Sequence, residues 1–244
     1  MNYLIRRLFA CILACALFAA ATVANAQASA PNDTKPTIGI IGSGTVGGTL
    51  GKLFVAAGYP VVFSSRHPDE LKGMAAGLGS LASVGTPERA AREGDIVLMA
   101  VPYRALPEIG QQLAQTLNGK IVIDATNAYD WRDGDLVRQV EEQGIGKVSA
   151  ALLPGAKIVR AFNNMGTSTI AEQAHRKEPL LAIPIAGDDK DAIVVVSRLI
   201  TDIGLEPVVV GDLNAARRFQ PGSPGWQAIG SAAELRQRLD LPLK

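Results

Sequence analysis

Six residues, Gly42, Ser43, Gly44, Thr45, Val46 and Gly47, form a GxGxxG run directly after the apolar residues Ile38, Ile40 and Ile41. That spacing suits phosphate binding. Gly42 permits a tight turn, Gly44 lets a pyrophosphate approach the backbone, and Gly47 lets a following helix pack closely on the strand. The helix N-terminus then presents free N–H groups to the phosphates. Gly58 closes the helix and a second apolar strand, Pro60 to Phe63, follows. The run therefore has the strand, turn, helix and strand context of a dinucleotide site, and a glycine-rich turn of an unrelated α/β protein is the plainer alternative.

The end of the second strand carries information about which dinucleotide. A site for NAD usually places Asp or Glu there, about 20 residues past the glycines, to accept from the ribose hydroxyls. This chain has Ser64, Ser65, Arg66 and His67 instead. A carboxylate would repel a 2′-phosphate, whereas two hydroxyls and a guanidinium can donate to one. NADP is favoured over NAD. The bland alternative makes the serines turn residues and Arg66 a solvated charge; His67, before Pro68, reads either as a flank of the adenine or as a surface histidine.

The elements that must position these groups alternate along the chain. A helix is expected over Pro68 to Ala76, and Thr86 before Pro87 has the look of an N-cap with proline at the first helical position. The apolar strand Ile96 to Val101 stops at Pro102, the helical pattern Leu106 to Leu117 ends at Gly119, and the strand Ile121 to Ile123 ends at Asp124. The apolar residues Ala150 to Leu153, strands at 158–162, 181–185 and 207–210 and a helix at 190–203 complete the pattern. Continuous apolar strands alternating with helices mean a mostly parallel sheet covered on both faces, the doubly wound Rossmann arrangement. Ligands of such sheets lie beyond the carboxyl ends of the strands. Three ends stand out: Ala100, Val101 and Pro102; Asp124 to Asn127; and Ala161 to Asn164. Small or amide-bearing residues there suit a carboxamide or planar heterocycle better than an anion, although Asn127 and Asn163 could simply close turns.

The first 26 residues read as a signal segment. Arg6 and Arg7 form a basic region, Leu8 to Val23 is uncharged and apolar, and Ala24, Asn25, Ala26 is a small-x-small cleavage site. The apolar run is shorter than the roughly 20 residues a bilayer span needs, so no span is expected once the signal is cleaved, with an uncleaved anchor or lipidation at Cys15 as lesser alternatives. A periplasmic or secreted location follows. Arg6, Arg7, Leu8 and Phe9 also resemble a twin-arginine signal, and a simple basic region reads equally well. Both cysteines, Cys11 and Cys15, lie in this segment, so the mature domain has no disulfide, no thiol nucleophile and no cysteine-ligated metal, and no metal site is expected. Without Arg6 and Arg7 the chain holds 22 basic and 23 acidic residues, a balance that excludes an electrostatic nucleic-acid binder. The expected organisation is signal peptide 1–26, flexible leader 27–36, NADP-binding domain 37–165, and a small C-terminal α/β portion, 166–244, closing the cleft.

GSGTVG, the serine and arginine after the second strand, AVPY at 100–103, DATN at 124–127, LPGAKIVRAFNNMG at 153–166 and IAGDDKDA at 185–192 together resemble the NADPH-dependent reductases of the deazaflavin coenzyme F420. They also resemble the NADPH-binding domain of six-transmembrane metalloreductases. The resemblance covers about Pro36 to about Val210, and PGAK…AFN is its most specific part. It implies an oxidoreductase exchanging hydride between NADP(H) and a flavin-like ring, deazaflavin F420 or FMN/FAD, a chemistry of proximity and orientation. Carried over, Gly42 through Gly47 would hold the pyrophosphate, Ser65 and Arg66 the 2′-phosphate with Ser64 beside them, Val101, Pro102 and Asn127 the nicotinamide side, and Asn163 and Asn164 the second pocket. The partner is then a small-molecule hydride acceptor, with a homodimer left open. Secretion is unusual for the family, and the stretches at 163–169 and 219–226 match it loosely.

Two other classes compete. The first is a reductase of a small imine or carbonyl. A hydroxyacid dehydrogenase would carry its acid on a long all-helical C-terminal domain, which the strand and helix alternation after Asn164 does not fit, although His175 with Lys177, in the polar stretch Glu172 to Glu178, is a possible acid. A reductase of a small imine resembling pyrroline-carboxylate reductase would lack its dimerising helical half. A non-catalytic NADP-binding sensor needs no acid or base. Trp226 would either cover a flavin ring or anchor the core.

Overall fold

The computed structural model of the chain describes residues 34–243. The signal segment, both cysteines and most of the expected leader lie outside the described residues. From Lys35 onward the chain forms one compact unit. No helix among the described residues is long and apolar enough to cross a membrane.

Eight strands make one sheet: β1 (Ile38–Ile41), β2 (Val61–Ser64), β3 (Ala82–Gly85), β4 (Ile96–Met99), β5 (Ile121–Asp124), β6 (Lys157–Arg160), β7 (Ala182–Gly187) and β8 (Glu206–Gly211). Their order is β3-β2-β1-β4-β5-β6-β7-β8, with every pair parallel except β6 and β7. The order reverses at β1, which pairs with β2 on one side and β4 on the other, Ile38 lying opposite both Val61 and Ile96. That is the doubly wound Rossmann arrangement expected from the alternating elements. The strands β7 and β8 continue the same sheet.

Alternate side chains of each strand enter opposite layers, as the two-residue period of a pleated strand requires. Ile38, Ile40, Ile96, Leu98 and Ile123 pack in one core with helices α1 (Thr45–Ala56) and, further along, α9 (Lys190–Asp202). Ile41, Val97, Met99 and Val122 fill the other, against α4 (Leu106–Leu117) and α7 (Ile145–Leu152). Between these, α2 (Lys72–Leu78), α3 (Pro87–Glu93), α5 (Asp130–Asp133), α6 (Asp135–Gln143), α8 (Thr167–Gln173) and α10 (Ala232–Arg238) complete the chain, with 3-10 turns at Pro68–Leu71, Tyr103–Ala105 and Leu213–Phe219.

Several sequence expectations meet small corrections. The helix expected at 68–76 begins as a 3-10 turn. Thr86 caps α3 as expected, its hydroxyl accepting from the Arg89 N–H at 3.3 Å, a contact worth about 1 kcal/mol. The strand expected to reach residue 162 stops at Arg160, because Phe162 takes a left-handed conformation at φ 60°. Residues 150–153 finish α7 and enter the turn after it.

Candidate functional site

Each of the three motif glycines has its own geometry. Gly42 sits at φ 93°, and a Cβ there would lie 2.6 Å from the Ala100 carbonyl oxygen. A Cβ on Gly47 would collide with the Gly42 carbonyl. Gly44 differs: at φ −73° it is open to any residue, and a Cβ would meet nothing within 4 Å. Gly42 and Gly47 are required by the fold, while Gly44 faces unfilled space. Gly44 is also the N-cap of α1, which has no side-chain cap and no acid in its first turn. Free N–H groups and a helix dipole there favour an anion, and the backbone of Thr45, exposed, and Val46, partly buried, lines that first turn.

The loop is locked to the end of β2. Ser43 donates its N–H to the Ser64 carbonyl at 2.9 Å, and its hydroxyl accepts from the Ser64 N–H at 2.9 Å. Ser64 is wholly buried and its hydroxyl donates to the Ile40 carbonyl. This corrects the expectation for Ser64: it braces β1 against β2 and has no hydroxyl to offer a phosphate. Ser65 is half-buried, its hydroxyl accepting from the His67 N–H at 2.9 Å, and Arg66 and His67 are exposed. Ser65 and Arg66 directly follow β2, and the next acid along the chain is Asp69.

Beyond β4, Val101 is half-buried and Pro102 exposed, while Tyr103 turns wholly inward with its hydroxyl 3.2 Å from Ser149 Oγ. Burial, first, and the nearby Asp124 charge push the Tyr103 phenol well above its usual range, so it is neutral at working pH.

Beyond β5, a half-buried Asn127 donates through Nδ2 to the Asn163 carbonyl at 2.7 Å. Asn163 Nδ2 reaches both Asn127 Oδ1 at 3.3 Å and the Phe219 carbonyl at 3.4 Å. Asn164 Nδ2 lies 3.5 Å from the Gly225 carbonyl. Asn163 and Asn164 are both buried. Instead of lining an open pocket, as expected, their side chains tie the end of β6 to residues 219–225. Trp226 is half-buried, and His175 is exposed with its backbone N–H bound to Gly204. Neither His175 nor Lys177 makes a side-chain bond to any of these strand-end residues.

The sequence reading missed the charge pair beneath the Asn127 turn. Asp124 and Arg160 are neighbours across β5 and β6, and both are fully buried. Arg160 Nη1 lies 2.6 Å from Asp124 Oδ2, and Nη2 donates to the Thr126 carbonyl at 2.6 Å. Asp124 Oδ1 accepts from the Thr126 N–H and hydroxyl at 2.9 and 2.6 Å. A charged residue is almost never buried unless paired, so Asp and Arg inside two adjacent apolar strands were the available signal.

With this geometry in view, comparison with known proteins is specific. Residues 37–128 match the family described as NADP oxidoreductase, coenzyme F420-dependent. The chain is 28% identical over 197 residues to the F420-dependent NADP reductase of Methanothermobacter thermautotrophicus, covering 75% of this chain and 84% of that protein. Over this span the chain is similar to NADP-dependent oxidoreductases. It is also 31% identical over 188 residues to the metalloreductase STEAP3 of Rattus norvegicus, over 76% of this chain but only 36% of that protein's length. A hypothetical protein from Sinorhizobium meliloti superposes with a TM-score of 0.71 at 28% identity, covering 81% of this chain and 96% of that one. The matched span thus corresponds to most of the F420-dependent reductase but to about a third of the metalloreductase.

Proposed function

We propose that this protein is an NADP-dependent oxidoreductase that passes hydride from NADPH to a flavin-like, deazaflavin-type acceptor. The observation that carries the cofactor half is the open space at Gly44, between an uncapped helix N-terminus and the acid-free β2 end. A pyrophosphate fits that cradle, with Gly42, Gly44 and the N–H groups of Thr45, Val46 and Gly47 around it, and Ser65 and Arg66 within reach of a 2′-phosphate. Bound there, the dinucleotide would supply the transferable hydride. The chain's own residues would grip and align: Val101 and Pro102 form one wall and Asn127, fixed by Asn163, another. The residues assigned to the cleft walls, Val101, Pro102 and Asn127, are neutral, which suits transfer between stacked rings, where proximity matters more than proton transfer. The kinship with an F420-dependent reductase supports the same acceptor class.

Arg66→Ala tests the cofactor half. An exposed guanidinium contact to phosphate sits at the low end of the about 1.5–3 kcal/mol range for charged hydrogen bonds, so NADPH should bind roughly tenfold more weakly. NADH binding should be unchanged. Calorimetry with both cofactors reads the ratio, and equal losses for both would remove Arg66 from the 2′-phosphate. The acceptor half is tested by NADPH oxidation against deazaflavin, FMN, FAD, a cyclic imine and a simple ketone. Turnover confined to the imine or ketone would overturn it.

A further inference from the structure

We propose that Tyr129, Trp131 and Arg132 form the platform on which the acceptor ring stacks, beside the nicotinamide end of the cleft. The proposal rests on the reading above and specifies a contact surface for it. Trp131 is 80% exposed, yet its ring is held in place. It stacks on Tyr129, with centroids 5.9 Å apart and planes inclined by 20°. The Arg132 guanidinium lies 5.1 Å from the Tyr129 ring centre and 5.4 Å from that of Trp131.

This cluster is anchored to the site. Arg132 Nη2 donates to the Asn127 carbonyl at 2.7 Å, and Nε lies 3.0 Å from both Asp133 carboxylate oxygens. Asp133 also accepts from the backbone N–H groups of Tyr129 at 2.8 Å and Arg104 at 3.0 Å. Burial pushes the Asp133 carboxyl up, but these bonds from Arg132, Tyr129 and Arg104 outweigh it and hold the carboxyl below its usual range, so the anchor stays charged at neutral pH. Tyr and Trp are enriched at binding interfaces, and here two of them stack into one exposed patch on a hydrogen-bonded mount.

Topology decides which ring belongs there. A dinucleotide with its 2′-phosphate at the end of β2 crosses β1 and carries its nicotinamide toward β4 and β5, on the other side of the switch point. The platform follows β5, with Tyr129, Trp131 and Arg132 two, four and five residues beyond Asn127. An adenine seat there would be on the wrong side. A second planar ring of the flavin or deazaflavin class is the occupant the position fits.

The chain has two tryptophans, Trp131 and Trp226. With NADP+ present, deazaflavin F420 or FMN added to the wild type should quench tryptophan fluorescence. Trp131→Ala should lose most of that quenching, and its affinity for the same ring, read by equilibrium dialysis, should fall about tenfold or more. Trp131→Phe should keep most of the affinity, because a stacking face remains. In steady state the alanine variant should show a raised KM for the ring with NADPH affinity unchanged. Unchanged ring affinity in Trp131→Ala overturns the platform, as does a wild type that binds NADPH but neither ring. Dissociation of a dimer in the alanine variant with ring affinity intact would make the patch a subunit contact, and also overturns it. Failure of the wild type to bind NADPH by calorimetry would instead sink the underlying reading.

Discussion

Gly44→Val is expected to leave a folded protein with no measurable affinity for NADPH. The backbone at Gly44 has φ −73°, accessible to valine, and the first atom of a side chain there would touch nothing within 4 Å. Folding therefore has little to lose beyond the mild cost of a β-branched residue at a helix start. The same empty volume is where the proposed pyrophosphate lies, and a branched side chain would fill it. Gly42→Val behaves differently, because the left-handed backbone and the nearby Ala100 carbonyl oxygen oppose any Cβ. The pair of variants separates binding from folding. Circular dichroism should show native helix content in Gly44→Val and a lowered melting temperature in Gly42→Val, while calorimetry on the Gly44 variant should show no heat with NADPH. Retained binding in Gly44→Val would place the cofactor away from this loop.

Much of this arrangement could be read from residue types alone, for identifiable reasons. The strands β1, β4 and β5 are continuous apolar runs ended by glycine, proline or aspartate, which is how strands buried on both faces are written. Helix α4 carries an apolar stripe and ends before a glycine at φ 76°. By contrast β3 was illegible: Ala82, Ser83, Val84 and Gly85 offer one large apolar residue at a sheet edge. Helix α6 buries only Val140 and reads as a polar loop. At the site, the glycines announced their roles because each role has a steric reason local to the loop. The fates of Ser64, Asn163 and Asn164 depended on which neighbour their polar atoms found, and those neighbours, Ile40, Phe219 and Gly225, are 24, 56 and 61 residues away. Tyr129 and Trp131 were visible, but stacking of residues two apart depends on the short turn of α5 that brings them side by side.

Arg160→Met is expected to cost about 3–5 kcal/mol of folding stability, the usual result of leaving one member of a buried ion pair alone. Asp124 is fully buried, and without the guanidinium its carboxylate keeps only the Thr126 contacts on Oδ1. Its Oδ2 has the ion pair at 2.6 Å and no properly angled hydrogen bond besides, so nothing else compensates its charge. The double variant Asp124→Leu with Arg160→Met removes both charges. Stability should then largely return, since apolar residues of similar volume commonly replace a buried pair at little or no cost. Function should not return with it. Arg160 Nη2 holds the Thr126 carbonyl, and Asp124 holds the Thr126 N–H and hydroxyl, so the pair fixes the turn that carries Asn127 to the cleft and Arg132 to the platform. A loosened turn should lower turnover and weaken acceptor binding while the 2′-phosphate end at Arg66, across β1, keeps its preference for NADPH. Urea unfolding of the three proteins reads the first claim, and kcat and KM for NADPH and acceptor read the second. A double variant that recovers both stability and activity would show that the pair only fills the core and does not position the site.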